Sequence, residues 1–100
     1  MVRWRQIFKV SKDFEHLGLN GRSILDIKNN ISRKFGYDVS DIKLFGSRIF
    51  GDYRNDSDLD VVILDPVKLG QPHIKIRLLG FDMDISFIDS FDYSWLIDSV

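Results

Sequence analysis

The sequence contains no cysteine. Disulfide bonds and thiolate metal sites are therefore excluded, and carboxylates remain the only abundant side chains that could bind a cation. Oxygen ligands of this kind favour a hard ion such as Mg²⁺. The aspartates are therefore the first residues to consider as ligands.

The sequence also lacks a long apolar run and an excess of basic residues. No stretch reaches the roughly 18 apolar residues of a membrane-spanning helix, and the first residues, Met1 to Arg5, lack the apolar core of a secretory signal. We therefore expect a cytoplasmic location and no membrane partner. The formal net charge of −1 neither supports nor excludes an RNA partner.

The chain length limits what the protein can contain. One hundred residues suit a single compact domain with a modest core, and we expect residues 1–100 to form it. A separate lobe that recognises a second substrate does not fit in this length. Any domain that selects an acceptor is therefore expected to be missing or to lie on another chain.

Apolar spacing predicts two helices in the first part of the chain. Between residues 4 and 17 apolar side chains recur near helical spacing, and Gly18 follows at a position typical of a helix C-terminus. From residue 23 to 36 the pattern is clearer, because Ser23 and Asp26 match a capping box and Gly36 ends the run. The apolar tail of residues 91–100 could add a short helix.

Strands are predicted in the second part of the chain. The apolar runs Ile42–Phe45 and Leu59–Leu64 are typical of buried central strands. Apolar and polar residues alternate over 73–79 and a second stretch covers 81–88, which together predict a β-hairpin that turns near Gly80. Helices and strands in this order indicate an α+β chain.

A Gly-Ser turn follows the first predicted strand. Gly46 and Ser47 open a connection that is rich in glycine, serine, asparagine and aspartate and that extends to Asp58. Glycine allows a sharp turn with consecutive exposed N–H groups, and it lets a phosphate approach closely. A short helix beginning at Ser47 would add its N-terminal partial charge. By itself the Gly-Ser turn is weak evidence for a phosphate site, because such a turn more often has a purely structural role.

Two aspartates precede the apolar run of the second predicted strand. Alternate strand residues project to one face about 7 Å apart, so Asp58 and Asp60 could flank one cation. Asp60 stands directly before Val61, at the edge of the core, where an uncompensated charge is unfavourable. A metal ion would remove that penalty. The alternative is a polar turn followed by an edge-strand charge, and the nearby Gly-Ser turn counts against it.

Two metal ions would need a third carboxylate. Along residues 81–88, Asp82 and Asp84 fall on one face and apolar residues on the other, so either aspartate could reach a neighbouring strand. Asp84 is preferred because it lies deeper in the strand and precedes an apolar run, as Asp60 does. Asp82 remains the second candidate.

Together these residues resemble the nucleotidyltransferases of the DNA polymerase beta superfamily, especially the minimal nucleotidyltransferases. The signature of that family is Gly-Ser-x-x-x-Gly, then Ser-Asp-x-Asp, then a later Asp. In this chain the signature reads Gly46-Ser47 with Gly51, Ser57-Asp58-Leu59-Asp60, and Asp84. The match covers a motif core of about residues 23–88. The resemblance implies the nucleotidyltransferase fold, an α+β (α/β) fold with a small mixed β-sheet and helices packed on one face.

The resemblance also implies an activity. Members of the family transfer a nucleoside monophosphate from a nucleoside triphosphate (NTP), most commonly ATP, to an acceptor and release pyrophosphate. The residues expected to bind two Mg²⁺ ions and to act in catalysis are Asp58, Asp60 and Asp84. The residues expected at the nucleotide are Gly46, Ser47, Arg48 and Ser57.

One departure from the family leaves the acceptor open. Many minimal members carry a helix before the third aspartate, whereas residues 65–72 are too few for a full helix. The stretch from Asp84 to Phe87 reads Asp-Ile-Ser-Phe, which resembles a strand of terminal uridylyl and poly(A) transferases. A protein partner, as in antitoxin-like members paired with helical toxins, RNA and a small molecule all remain candidate acceptors.

Two further hypotheses concern assembly and activity. The apolar segments around Trp4 and Trp95 predict a homodimer or a complex with a helical protein partner. The alternative to an enzyme is a catalytically silent nucleotide-binding or antitoxin-like interaction module that keeps the fold, although the intact aspartates count against it. His16 and His73 are expected in surface or packing positions without a catalytic role.

Overall fold

The structure is a computed structural model that describes residues 11–51 and 53–100. Its strands are β1 (Glu15–His16), β2 (Arg22–Ser23), β3 (Ile42–Phe45), β4 (Leu59–Leu64), β5 (Ile74–Leu78) and β6 (Phe81–Ile88). Its α-helices are α1 (Ile24–Phe35) and α2 (Ser47–Phe50). Four short 3₁₀ helices connect these elements, at Leu17–Leu19, Val39–Asp41, Pro66–Lys68 and Ser94–Leu96.

The centre of the fold is a four-stranded sheet in the order β3-β4-β6-β5. β4 is parallel to β6, while β3 and β5 are antiparallel to their neighbours. The predicted mixed sheet is therefore confirmed. The prediction that β3 is a central strand is wrong, because β3 lies at an edge. That edge is covered by Val100, whose N–H and C=O both bond to Leu44 at 2.8 Å.

Helix α1 covers one face of the sheet, as predicted. It begins at Ser23, whose hydroxyl accepts a hydrogen bond from the Asp26 N–H at 3.0 Å, and it ends at Gly36 with φ 79°. Apolar residues at spacings of three and four place a buried stripe on the sheet. Those residues are Ile24, Ile27 and Ile31. No helix in the described ranges is long and apolar enough to cross a membrane.

The predicted first helix over residues 4–17 is not formed in its described part. Residues 4–10 lie outside the described residues, and from Ser11 the chain is irregular before it enters β1. β1 pairs with β2, because Asn20 (φ 54°) and Gly21 (φ 83°) reverse the chain direction between them. The apolar Phe14 and Leu17 are consequently exposed, which removes the burial that the helical pattern implied.

The predicted hairpin is formed by β5 and β6. Leu78 pairs with Phe81, so the turn has two central residues, Leu79 (φ 57°) and Gly80 (φ 82°). Two successive positive φ angles are those of a type I′ turn, which suits the twist of the flanking strands. Between β4 and β5 the chain forms only the 3₁₀ helix Pro66–Lys68, as the length of this segment predicted.

The second face of the sheet is only partly covered. A small cluster of Val62, Ile88 and Leu96 lies under the C-terminal segment, where Ser94–Leu96 is a 3₁₀ helix and supplies the short helix that the apolar tail suggested. Closer to the start of β4, the polar residues Asp60, Asp84 and Lys75 of β4, β6 and β5 are register partners on this face. The candidate site is on this polar part.

Candidate functional site

The site begins with the turn between β3 and α2. Gly46 (φ 89°, ψ −167°) ends the strand and is the N-cap of α2, and Ser47 is the first helical residue. Buried Ile49 anchors the short helix to the core, and Gly51 (φ 99°) ends it. The first N–H groups of a helix have no acceptor within the helix and favour an anion. The turn predicted from Gly-Ser is therefore formed.

The turn lies directly against Asp60. Asp60 is the second residue of β4 and pairs with Phe45, the residue before Gly46. A Cβ atom on residue 46 would stand 2.3 Å from Oδ2 of Asp60, and only glycine lacks that atom. The absence of a side chain at residue 46 thus lets the carboxylate approach the backbone of the turn.

Asp60 and Asp84 are brought together by the parallel pairing of β4 and β6. The two residues are direct register partners, so their side chains project to the same face of neighbouring strands. Burial raises the pKa of the Asp60 carboxyl, and the charges of Asp84 and Asp58 raise it further. Within the described chain, no group donates a hydrogen bond or an ion pair to the Asp60 carboxylate. Asp60 therefore has no compensating partner in the described chain and lies beside a second carboxylate.

Asp58 lies just before β4 and is exposed. Its charge reaches Asp60, because it contributes to the raised pKa of that carboxyl. In residues 11–51 and 53–100, no three His, Asp or Glu side chains converge as a ready-made metal site. The structure thus brings Asp60 and Asp84 side by side and leaves Asp58 at the rim.

The structure separates the two candidates for the third carboxylate. Asp82 is exposed and forms an ion pair with Arg77 at 2.9 Å, on β5. Asp84 is three-quarters buried, with 25% of its side chain exposed, and faces Asp60. The role of Asp84 as the third carboxylate stays a prediction, and its place beside Asp60 is the geometry that this role requires.

Two residues that the sequence reasoning missed lie beside Asp84, one just before β5 and one within it. The Nδ1 atom of His73, which was expected only in a surface or packing position, lies 3.1 Å from Oδ1 of Asp84. Lys75 is the register partner of Asp84. The alternation of polar residues along 73–77 was visible in the sequence. Together with a two-residue turn at Leu79 and Gly80, this alternation would have predicted the pairing of Lys75 with Asp84.

Arg48 is buried and binds the connection between α2 and β4. Its three guanidinium nitrogens donate to the carbonyl oxygens of Ser57 at 2.7 Å, Asn55 at 3.0 Å and Gly18 at 3.0 Å. The guanidinium also lies 4.9 Å from the centre of the Phe81 ring. These contacts differ from the phosphate contact expected from the sequence, since each nitrogen already donates to the backbone.

Ser57 also serves the connection. Its hydroxyl accepts a hydrogen bond from the Arg54 N–H at 2.7 Å, and its own N–H donates to the Arg54 carbonyl at 3.0 Å. This tight turn immediately precedes Asp58. Ser57 therefore fixes the path by which the chain enters β4, and its hydroxyl is engaged with the backbone.

A groove of about 440 Å³ adjoins the start of β4. Asp58, Asp82, Lys75 and Arg77 contribute the charged part of its lining. A cavity of this size is within the usual range for a small-molecule site. Its lining combines carboxylates that could hold a cation with ammonium and guanidinium groups that could approach phosphates.

The donor set suits a divalent cation with oxygen ligands. Asp60 and Asp84 have neighbouring carboxylates, Asp58 is near enough to affect the Asp60 pKa, and no described cation offsets Asp60. A hard ion such as Mg²⁺ binds to carboxylates and water and would offset this charge. The residues that would hold it are Asp60 and Asp84, with Asp58 at the rim.

The site thus combines a glycine turn at the end of β3 with paired aspartates on β4 and β6, the two strands that follow β3 in the sheet. The family model described as Nucleotidyltransferase domain matches residues 24–97, and the chain belongs to this family. The matched range contains α1, the whole central sheet and the site residues. Searches of curated proteins and of solved structures gave no significant match. The resemblance seen in the sequence is therefore confirmed at the level of the family.

Proposed function

We propose that this domain transfers a nucleoside monophosphate from ATP to an acceptor hydroxyl, in a reaction that depends on Mg²⁺ and releases pyrophosphate. The observation that supports the proposal is the side-by-side placement of Asp60 and Asp84 against the Gly46 turn. Family membership supports nucleotide transfer in general. The metal, the donor base and the acceptor are parts of the proposal.

Each part of the site has a role in this reaction. The turn at Gly46 and Ser47 would hold the terminal phosphates with backbone N–H groups. Asp60 and Asp84, with Asp58, would hold two Mg²⁺ ions, which when bound neutralise phosphate charge and lower the pKa of a coordinated hydroxyl. Asp84 would accept the proton of the acceptor hydroxyl, whose oxygen then bonds to the α-phosphorus while the bond to pyrophosphate breaks.

His73 is placed to assist as a positioning residue. Its Nδ1 atom contacts the Asp84 Oδ1 atom at 3.1 Å, so the ring restrains the carboxylate from the β5 side. Orienting groups of this kind hold ligating carboxylates in the geometry that a metal requires.

The proposal is tested by thermal unfolding of the protein with ATP, UTP, GTP or CTP, each with Mg²⁺ or with a chelator. One triphosphate should stabilise the protein only with Mg²⁺, because a ligand that binds the folded state alone shifts the unfolding equilibrium. The stabilisation should be absent in Asp60→Asn. It should persist in Asp38→Asn, which removes the same charge from an exposed residue with no capping hydrogen bond.

Transfer itself is measured with α-labelled triphosphate. The label should appear on an added RNA, a partner protein or a small hydroxyl compound, with release of an equal amount of pyrophosphate. Nucleotide binding without label transfer to any acceptor would instead support a catalytically silent nucleotide-binding module. Absence of any Mg²⁺-dependent nucleotide binding would contradict the proposal.

A further inference from the structure

A second polar cavity lies at the other end of β3. It has a volume of about 530 Å³ and is bounded by α1, by the turn before β3 and by the C-terminal segment. Three lysines line it, namely Lys12, Lys28 and Lys43. We refer to this space, with these three residues, as the lysine cavity.

The lysine cavity is separate from the nucleotidyltransferase site. Ile42, the first residue of β3, lines the cavity and pairs with Ile63, whereas the last residue, Phe45, pairs with Asp60. Three residues of extended strand place these two ends about 10 Å apart. A ligand in the lysine cavity would therefore not be held by Asp60, Asp84 or the Gly46 turn.

The positive charge of the lysine cavity is not offset by acidic residues. In the described part of the chain, no Asp or Glu lines the cavity, and none of the three lysines forms an ion pair. The chain as a whole has a net charge of −1, so this is a local concentration of one sign. The free energy of such a cluster falls when an anion binds.

The burial of Lys28 adds to the electrostatic free-energy cost of the three neighbouring lysines. It lies on α1 beside the core stripe and only 3% of the residue is exposed. Burial and, to a smaller extent, the charges of Lys12 and Lys43 lower the pKa of Lys28 to about 8. A buried stem with its tip directed to solvent is common for lysine. Lys28 lines the cavity together with Lys12 and with Lys43, whose Nζ atom lies 5.0 Å from the centre of the Phe91 ring.

The lining also supplies hydrogen-bonding groups that suit a phosphate. Ser40 adds a hydroxyl to the lysines of the lining, whereas the Ser99 hydroxyl donates to the Leu96 carbonyl oxygen at 2.6 Å. A phosphate carries nearly two negative charges at neutral pH and three strong acceptor oxygens, whereas a carboxylate carries one charge. We propose that the lysine cavity binds a phosphate group, carried either by a small phosphorylated molecule or by a nucleic-acid backbone.

The test is titration of the protein with inorganic phosphate, without nucleotide and with a chelator, at constant ionic strength. Calorimetry should show saturable binding to the wild type. Lys28→Met keeps the apolar stem and should weaken the affinity by about tenfold or more, the effect of one lost charge-assisted hydrogen bond. Lys34→Met, which removes an exposed charge from the same helix, should bind as the wild type does.

A second measurement does not depend on the variants. In NMR spectra of the wild type, phosphate should shift the amide signals of Leu25, Ser40 and Ile42 and leave those of Gly46 and Ser47 unchanged. Asp60→Asn should give the same shifts, which separates this proposal from the nucleotidyltransferase site. Shifts confined to the Gly46 turn would overturn the proposal.

Two ligand series identify the source of the phosphate. Tighter Lys28-dependent binding of phosphomonoesters than of a short RNA without terminal phosphates would assign a small ligand. The opposite order would assign a nucleic-acid backbone. Equal binding to the wild type and Lys28→Met, or an effect that chloride reproduces at the same ionic strength, would show simple screening and overturn the proposal.

Discussion

Gly46 and Asp60 are in such close contact that a Cβ atom on residue 46 would lie 2.3 Å from the Asp60 Oδ2 atom. The contact joins the end of β3 to the start of β4 and places the Gly46 turn beside the carboxylate pair. It also explains why this position requires glycine, for two independent reasons. The φ angle of 89° is unfavourable for other residues, and any side chain would displace the carboxylate.

The first prediction concerns Gly46→Ala. We expect a loss of stability of about 1–2 kcal/mol from the positive φ angle, with a further loss from displacement of Asp60. Mg²⁺-dependent nucleotide binding should disappear. Gly51→Ala is the matched control, because Gly51 has φ 99° but open space at its Cβ position. It should lose stability in urea unfolding and still bind nucleotide; equal loss of binding in both variants would contradict this explanation.

The second prediction concerns Asp60→Asn in the metal-free protein. The pKa of Asp60 is raised above its ordinary value of 3.8 by burial and by Asp84 and Asp58. Between 3.8 and the raised pKa the folded protein binds more protons than the unfolded chain, so stability falls as the pH rises through this window. Asp60→Asn removes the penalty, and its melting temperature at pH 7 should exceed that of the wild type by a few degrees.

The pH dependence of the difference provides the check. Below pH 3.8 the Asp60 carboxyl is protonated in both states, so wild type and Asp60→Asn should differ little there. Unfolding is measured with a chelator between pH 3 and 8. A difference in melting temperature that stays constant over this range would show that Asp60 carries no electrostatic penalty.

Much of the fold could be predicted because its signals are local. Ser23, Asp26 and Gly36 fix the ends of α1 by capping, and a short apolar run identified β4. The facing positions of Asp60 and Asp84 followed from strand alternation together with the family signature. Their direct register required the parallel pairing of β4 and β6, which no local pattern specifies.

The rest depended on contacts between distant parts of the chain. The β1–β2 pair depends on a reversal at Asn20 and Gly21, and the apolar spacing before it suggested a helix instead. From the sequence, Arg48 was expected in a polar loop, in contact with a phosphate. In the structure Arg48 is buried and donates to carbonyl oxygens of Gly18 and of the connection to β4. These carbonyl groups come together only in the folded chain.

The third prediction concerns association through the C-terminal segment. Trp95 stacks on Tyr93 with ring centres 6.2 Å apart, and the two side chains are about half exposed, while Ile97 is 77% exposed. Exposed apolar groups of this kind favour an interface. Sedimentation velocity should show a dimer at high concentration, and Ile97→Lys should shift it to monomer. A clean monomer for the wild type would remove the homodimer, and Val67→Lys, a similarly exposed position, serves as the control.

The fourth prediction distinguishes the two roles considered for Arg48. If the guanidinium holds the connection to β4, Arg48→Lys cannot replace three bonds to three separate carbonyl groups. We expect a loss of about 3 kcal/mol in urea unfolding, together with weaker nucleotide binding. Arg54→Lys, at an exposed position in the same connection, should preserve stability. Unchanged stability with weakened nucleotide binding in Arg48→Lys would instead support a phosphate contact.

The fifth prediction ranks the two aspartates of β6. Asp84→Asn should lower turnover by roughly 100-fold or more, because it removes the carboxylate that would accept the acceptor proton and bind the metal. Asp82→Asn removes the same charge two residues away on the same face, where the side chain is exposed and paired with Arg77. It should change turnover little.

The turnover of Asp84→Asn and of Asp82→Asn is measured as label transfer from the triphosphate at saturating Mg²⁺. His73→Ala is compared with them as a third variant. In the described chain, Asp84 is the one charged group that His73 contacts. Loss of the His73 ring should therefore reduce turnover less than Asp84→Asn does. It should also raise the Mg²⁺ concentration needed for half-maximal activity, because the ring helps to orient the carboxylate. A purely structural role for His73 would alter stability without moving that Mg²⁺ dependence. If Asp82→Asn were the more damaging variant, the metal-binding and proton-accepting roles would belong to Asp82, and the register of Asp60 with Asp84 would have no catalytic meaning.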